Sequence, residues 1–402
     1  MIERLVAFIE WHKLLEPEEA VVLGYSGGAD STCLLHLLKQ AGYKVVAAHL
    51  HHGQRKEADE EMERCEKEAE KINVPFVGGK ADVPAIAHDF KIGIEDAGRR
   101  ARYEFFAQVS ASFQAKIATA HSADDNFETM LLHIVRGTGF DGVAGIPVRR
   151  GSIIRPFLWA RRDEARQYCE QHALWFHDDP ANEDERFARV AIRNNVVPAL
   201  EAINPRAVEN GLRLSTILRE DGSFLDSIAA ARIADAQIRP DHPLEFLVAG
   251  CEVRLSAERL RHSQASIVRR GVRLIAAAMG ASPDFAQCQA VADAIHSGVH
   301  AAITFEGGSV VAEAGGVALK IRKLEHILPY RQALTVPGET ICDDLGWSIA
   351  AWPSNDEPGK ERRSLRAMVD SAKLSGRLYA RPFKPGDRVQ PFGARSESKV
   401  QD

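Results

Sequence analysis

The stretch Ala20-Val21-Val22-Leu23-Gly24-Tyr25-Ser26-Gly27-Gly28-Ala29-Asp30-Ser31 decides the fold. Ala20 to Tyr25 is a short apolar run of strand length and reads as a buried strand. Asp30 to Gln40 follows with Cys33, Leu34, Leu37 and Leu38 at helical spacing. Between them, two adjacent glycines permit a tight turn and a close backbone approach to an anion. The helix N-terminus adds free N–H groups and roughly half a positive charge, and Ser26 and Ser31 add hydroxyl donors. Asp30 would repel a bare phosphate. Its carboxylate makes sense if it holds a magnesium ion that bridges phosphates. No Gly-Lys-Ser/Thr and no G-x-G-x-x-G is present here, which excludes a Walker loop and a dinucleotide fingerprint. The bland alternative is an ordinary strand–turn–helix with a serine cap.

Outward from this stretch, the period of the apolar residues keeps switching. Val45–Leu50, Val74–Val77 and Lys116–Ala120 read as strands; Glu57–Lys71, Ile94–Phe113 and Ala123–Val135 read as helices. That rhythm predicts an α/β fold, a doubly wound, Rossmann-like parallel sheet covered on both faces. Its ligand site belongs at the carboxyl ends of the strands. Gly137 to Gly151, rich in Gly and basic residues, reads as a surface loop or lid. Residues 161–200 are helical in pattern, with Pro198 and Pro205 marking a boundary. Residues 206–298 look helical throughout, and 301–324 turn strand-like. Residues 337–352 and 378–390 suggest a small β-containing unit. The expected domains are therefore 1–205, a mainly helical 206–328, and a small α+β domain at 329–402.

Composition narrows the class. The chain has 402 residues, 45% hydrophobic and 27% charged, which excludes wholesale disorder and supports two or three domains. Its net charge of −5 excludes a uniformly basic nucleic-acid coat. Charge is segregated, however: residues 99–166 hold 11 Lys/Arg against 7 Asp/Glu, and residues 361–402 hold 10 against 5. Local positive surfaces on an acidic chain suit a polyanion partner. The six cysteines are scattered, with no C-x-x-C, which argues against a zinc ribbon and for a reduced, cytoplasmic setting. The acidic N-terminus is no signal peptide, and no apolar run is long enough for a membrane span.

Ser26-Gly27-Gly28-Ala29-Asp30-Ser31 resembles the PP-loop of the N-type ATP pyrophosphatases, which split ATP to AMP and pyrophosphate while adenylating a carbonyl oxygen. Further motifs follow in order: His49-Leu50-His51-His52-Gly53, Ile94-Glu95 with Arg99-Arg100-Ala101-Arg102-Tyr103, and His121-Ser122-Ala123-Asp124-Asp125 with Glu128-Thr129. After these come Arg136-Gly137-Thr138-Gly139, Ile154-Arg155-Pro156, then Asp179, Asn182, Asp184, Arg189, Arg193 and Pro198. The set resembles the tRNA(Ile)-lysidine synthetase family, closely over residues 20–200. It continues weakly to Pro385-Gly386-Asp387-Arg388, Pro391 and Gly393, and the C-terminal domain pattern runs out at Asp402 as though incomplete.

The resemblance implies a carbon–nitrogen ligase. ATP adenylates O2 of the wobble cytidine in a CAU-anticodon isoleucine tRNA, and the ε-amino group of free L-lysine then displaces AMP to give lysidine. It implies ATP and Mg2+ bound by Ser26, Gly27, Gly28, Ala29, Asp30, Ser31 and His51, with Asp30 on the metal. Asp30, Asp125, Glu128, His121 and Arg102 are the expected catalytic residues. Asp125, Glu128, Arg136, Gly137, Gly139, Arg155, Arg189 and Arg193 are expected to meet lysine or tRNA. A homodimer is compatible with it, and no membrane partner is implied. Asp125 and Glu128 stand i, i+3 on one helix face, as a cation site needs, although acids also favour a first helical turn for its own sake. His51 and His52 are neighbours on a strand, so at most one reaches the site. The arginine run could equally be a solvated face. Three departures stand out: Asn126 where Gln is common, Ala181 where a small hydroxyl residue is usual, and Val190 where Asn is common. The competing functions are a PP-loop tRNA thiolase, disfavoured by the cysteine spacing, a small-molecule amide synthetase, and an inactive tRNA-binding module.

Overall fold

In the computed structural model the described residues are 1–16, 18–51, 57–177, 188–238, 252–305, 308–324, 331–342, 347–355, 368–374, 376–381, 388–389 and 398–399. They divide into two compact units, Met1–Ser223 and Phe224–Asp402.

The first unit opens with α1 (Ile2–Trp11), β1 (Ala20–Gly24), α2 (Ala29–Gln40), β2 (Lys44–His51), α3 (Glu57–Lys71) and β3 (Phe76–Lys80). It continues with α4 (Val83–Phe90), α5 (Ile94–Phe113), β4 (Lys116–Ala118), α6 (Ala123–Arg136), α7 (Phe140–Val143), β5 (Arg149–Arg150) and β6 (Ile153–Ile154). Then come α8 (Arg162–Gln171), α9 (Ala188–Ala191), a π-helical turn (Ile192–Val196), α10 (Val197–Ile203) and the start of α11 (Ala207–Ala236). The sheet runs in the order β3-β2-β1-β4-β6-β5. Every pairing is parallel except the edge hairpin of β5 with β6. The expected doubly wound sheet is therefore present, with one antiparallel edge strand.

Strand alternation explains the two layers of core. Val21, Leu23, Val45 and Ala47 face one side, where they meet Leu5, Ile9, Leu34, Leu37 and Leu38 of α1 and α2. Val22, Val46 and Ala48 face the other, against Phe106 and Val109 of α5. Gly24 ends β1 because Phe106 lies across it; a Cβ there would stand 2.6 Å from the Phe106 ring. The order in which strands are added reverses at β1, which has β2 on one side and β4 on the other. That is the switch point at which open α/β sheets leave a crevice.

The second unit holds the rest of α11, then β7 (Glu252–Ser256), α12 (Ala257–Arg261), α13 (Ala265–Ala278), α14 (Phe285–Ser297), β8 (Ala301–Thr304), β9 (Val310–Gly315) and β10 (Ala318–Lys323). A helical reading throughout 206–298 fails at Glu252–Ser256. Val253 and Leu255 alternate there, and β7 pairs antiparallel with β10 to complete the sheet order β7-β10-β9-β8. Three antiparallel strand pairs follow: β11 (Gln332–Ala333) with β14 (Tyr379–Ala380), β12 (Gly338–Cys342) with β13 (Trp347–Ala351), and β15 (Arg388–Val389) with β16 (Ser398–Lys399). Among the described residues no helix is long and apolar enough to cross a membrane.

Candidate functional site

A cavity of about 730 Å³ opens at the carboxyl ends of β1, β2 and β4, large enough for a nucleotide with room beside it. Its floor is the turn from β1 into α2. Gly27 has φ +81°, and a Cβ there would lie 2.9 Å from both Cys65 Sγ and His177 Nδ1. The His177 N–H donates to the Gly27 carbonyl at 3.1 Å, so the loop is strapped from above. Within the turn the Ser26 and Ser31 hydroxyls are 3.1 Å apart, the Gly28 N–H donates to Ser26 Oγ, and Ser31 Oγ donates to the Gly28 carbonyl. Gly28 caps α2 without a side chain, which leaves the N-terminal N–H groups of the helix open to a ligand. Gly27→Ala is expected to weaken nucleotide binding at least tenfold, because both the positive φ and the crowding forbid a methyl. A fluorescent-nucleotide titration that shows unchanged affinity would remove the turn from the binding site.

Asp30 lies on the first turn of α2 beside Asp125. Burial, and then the charge of Asp125, push its carboxyl up to about 7 against the pull of Arg162. Its Oδ1 is buried with no hydrogen-bond partner. Among the described residues no three His, Cys, Asp or Glu side chains converge as a metal cage. Mg2+ needs no such cage, since it is commonly held by one or two carboxylates together with substrate phosphates. A lone carboxylate with an unsatisfied oxygen beside a phosphate loop fits that ion.

Helix α6 presents the acids. Ser122 caps it and forms a capping box with Asp125, whose Oδ2 accepts from the Ser122 N–H at 2.9 Å and hydroxyl at 3.1 Å. Three arginines gather on Asp125 and Glu128. Arg193 forks Glu128 at 2.7 and 3.1 Å. Arg189 donates to Glu128 at 3.0 Å and to Asp125 Oδ1 at 3.3 Å. Arg162 donates to Asp125 at 3.0 Å and to Glu128 at 3.2 Å, and stands 3.9 Å from Asp30. Burial alone would raise the Asp125 carboxyl, but Arg162 and then Arg189 outweigh it and hold it down at about 2. Glu128 is only 1% exposed. Arg161, next to Arg162, binds Asp124, Glu201 and Glu209 and so ties the start of α8 to α6, α10 and α11.

Burial depresses the His121 imidazole to about 4, although Asp125 opposes the shift. The ring is bonded through Nδ1 to Thr119 Oγ1 at 2.8 Å. It is therefore neutral at pH 7 and offers the cavity a hydrogen-bonding ring rather than a charge. A histidine whose folded value lies below its unfolded 6.5 contributes stability that is intact above that value. The contribution is lost as pH falls from 6.5 to about 4. His121→Asn is expected to flatten the dependence of the unfolding midpoint on pH across that window; an unchanged slope would show that the ring is not held neutral.

The other expected residues separate clearly. His51 and His49 lie on the same face of β2 and both line the cavity, as does Arg102 on α5. Arg136, Gly137 and Gly139 are exposed at the end of α6, away from the cavity lining. Arg155 is 4% exposed, and its guanidinium donates to the Pro147 carbonyl at 2.7 Å. Asn126 is fully buried and joins Ser215 Nδ2-to-Oγ with the Ile146 N–H, a core role for which its short side chain is the right length. Val190 is buried within α9. His52, Gly53, Asp179, Ala181, Asn182, Asp184, Pro385, Gly386, Asp387, Pro391 and Gly393 lie outside the described residues. Sequence reasoning missed Arg162, His177 and Glu61, all in the cavity wall. For Arg162 a signal existed, a doubled arginine opening a helix just after Ile154-Arg155-Pro156.

The PP-loop domain family matches residues 3–200. A tRNA(Ile)-lysidine synthase of Geobacillus kaustophilus (strain HTA426) is 39% identical over 240 residues, covering 57% of this chain and 52% of that protein. One of Clostridium acetobutylicum is 38% identical over 240 residues, covering 58% and 52%. One of Geobacter sulfurreducens is 31% identical over 415 residues, covering 100% of this chain and 86% of the relative. The chain thus matches about half the length of the first two and most of the third.

Proposed function

This chain belongs to the tRNA(Ile)-lysidine synthase family, and from that premise we propose that it ligates free L-lysine to carbon 2 of the wobble cytidine of a CAU-anticodon isoleucine tRNA. The reaction consumes ATP and releases AMP and pyrophosphate. The observation that carries this reading is the pairing, in one cavity, of an anion loop with a buried, unsatisfied Asp30 Oδ1 and the acid Asp125, with Glu128 buried directly behind it.

The chemistry follows from the residues. Ser26, Gly27, Gly28, Ala29 and Ser31 supply donors for the phosphates, and His51 shapes the adjoining wall. Asp30 would hold Mg2+, which when bound neutralises charge developing on the pyrophosphate. The loop donors are fixed before the reaction, so they need no reorganisation as that charge grows. Asp125 and Glu128 offer carboxylates to the cationic amino acid, and neutral His121 lines the cavity beside Asp125 as a hydrogen-bonding partner for the reacting groups. Arg102 lines the nucleotide side. Arg189 and Arg193 hold Glu128 in place through direct ion pairs, while exposed Arg136, with Gly137 and Gly139, faces outward toward RNA phosphates. Arg155 would act through the Pro147 backbone. Cys65, beneath the loop, is a poor thiolase nucleophile: burial pushes its thiol up to about 12, far from a reactive thiolate.

The test is incubation with ATP, magnesium, labelled lysine and CAU-anticodon isoleucine tRNA. Covalent lysine on the tRNA supports the reading. ATP cleavage without lysine transfer, or sulfur incorporation under thiolating conditions, would overturn it.

A further inference from the structure

We propose that Arg162 is an exchangeable counter-ion, which keeps Asp125 and Glu128 from a cationic substrate until the phosphates of ATP draw it away. The inference rests on the function proposed above and adds an order of binding to it.

The acid pair is saturated. Glu128 Oε1 accepts from Arg193 at 2.7 Å and from both terminal nitrogens of Arg162 at 3.2 Å. Its Oε2 accepts from Arg189 at 3.0 Å and Arg193 at 3.1 Å. Asp125 Oδ2 is taken by Ser122, and Oδ1 by Arg162 and Arg189. Two carboxylates thus receive three guanidiniums, one of which also reaches Asp30 at 3.9 Å. An incoming ammonium finds no carboxylate oxygen to itself.

One arginine can leave at small cost. Arg193 forks Glu128 with two short bonds, and Arg189 also holds the Asp125 main-chain carbonyl at 3.1 Å. Arg162 makes no such fork, shares its contacts among Asp125, Glu128 and Asp30, and lines the cavity, which Arg189 does not. Its main chain is pinned, because the Arg162 N–H donates to Asp124 Oδ2 at 2.7 Å. The side chain can therefore turn while α8 stays in place. Its Nε is already 3.9 Å from Asp30, on the first turn of the phosphate-loop helix. With its magnesium bound, a triphosphate on the loop still carries net negative charge that competes with the acid pair for Arg162. Once Arg162 turns to it, Asp125 Oδ1 and Glu128 Oε1 each lose a donor. Each oxygen then has room for an ammonium N–H.

Such an exchange is a coupling free energy, and it must be reciprocal. Lysine binding to the full chain is measured by calorimetry with and without magnesium and α,β-methylene-ATP, which cannot be cleaved to AMP. In the wild type the analogue is expected to tighten lysine binding by about tenfold, within the usual range of such couplings, and lysine should tighten the analogue equally. Arg162→Gln is expected to bind lysine without the analogue as tightly as the wild type does with it, and to show no coupling. Arg162→Lys, a cation without the fork, should retain part of it and serves if the glutamine variant does not fold. Full coupling in Arg162→Gln, or a wild type that binds both ligands independently, overturns the exchange. A wild type that does not bind the analogue overturns the proposed function itself.

Discussion

Replacing Asp30 with Asn is expected to slow ATP–pyrophosphate exchange by about 10²–10³, the cost of removing one electrostatic stabiliser from a preorganised site. The amide keeps the size of the side chain and can still sit on the first turn of α2. It loses the charge that would hold the metal against the phosphates. Asp30 Oδ1 has no hydrogen-bond partner in the folded protein and Oδ2 has only the long 3.9 Å contact to Arg162, so the substitution breaks little structure. Fold stability should therefore be preserved or improved, since burial and Asp125 already disfavour the Asp30 anion. This separation of effects makes the experiment decisive. Slow exchange in a chain of unimpaired stability supports the metal role, and exchange near the normal rate would sink it.

Glu128→Gln carries the second large effect, on stability first. Glu128 is 1% exposed and is the common partner of Arg162, Arg189 and Arg193. Breaking a buried ion pair by removing one partner typically costs about 3–5 kcal/mol, because the remaining charge is left uncompensated. Those arginines retain some access to water, at 31%, 39% and 25% exposure, so a loss near the lower end of that range is expected. It should appear in the unfolding transition of the first unit in a denaturant titration. A loss below about 1 kcal/mol, the scale of a surface pair, would mean that water already carries the guanidiniums and that Glu128 does not organise the cluster.

Much of the first unit was legible because its signals are local. Val21, Val22 and Leu23 are apolar on both faces, as only a doubly covered strand requires. Adjacent glycines, serines and Asp30 mark a turn that must bind something. The limits Ile94–Phe113 and Glu57–Lys71 follow from periodicity alone and coincide with α5 and α3. Helix α4 was not read, although Asp82 caps it and Pro84 sits in its first turn; eight residues are too few for a period to assert itself. Strand β7 was hidden in a helical neighbourhood because its five residues gain their identity from β10, some sixty positions away. The site was legible in its acids and loop but not in its cations. Charge on Arg189 and Arg193 is plain in the sequence, yet only the packed helices show that carboxylates of α6 receive it. The partner of an arginine is a tertiary fact.

The π-helical turn at Ile192–Val196 has a consequence for how this chain tolerates length change. An α-helix advances about 100° per residue, and a π turn accommodates an additional residue within an otherwise α-helical run. Shortening the run by one residue would let it anneal into continuous α-helix, and everything beyond the cut would swing by about that angle. Arg193 lies inside the turn, whereas Arg189 lies ahead of it on α9. The aim of one arginine is thus set by chain count as well as by side-chain identity. Two sequences with every charged residue in place would differ in whether both cations converge on one acid, through a single missing uncharged residue beside them.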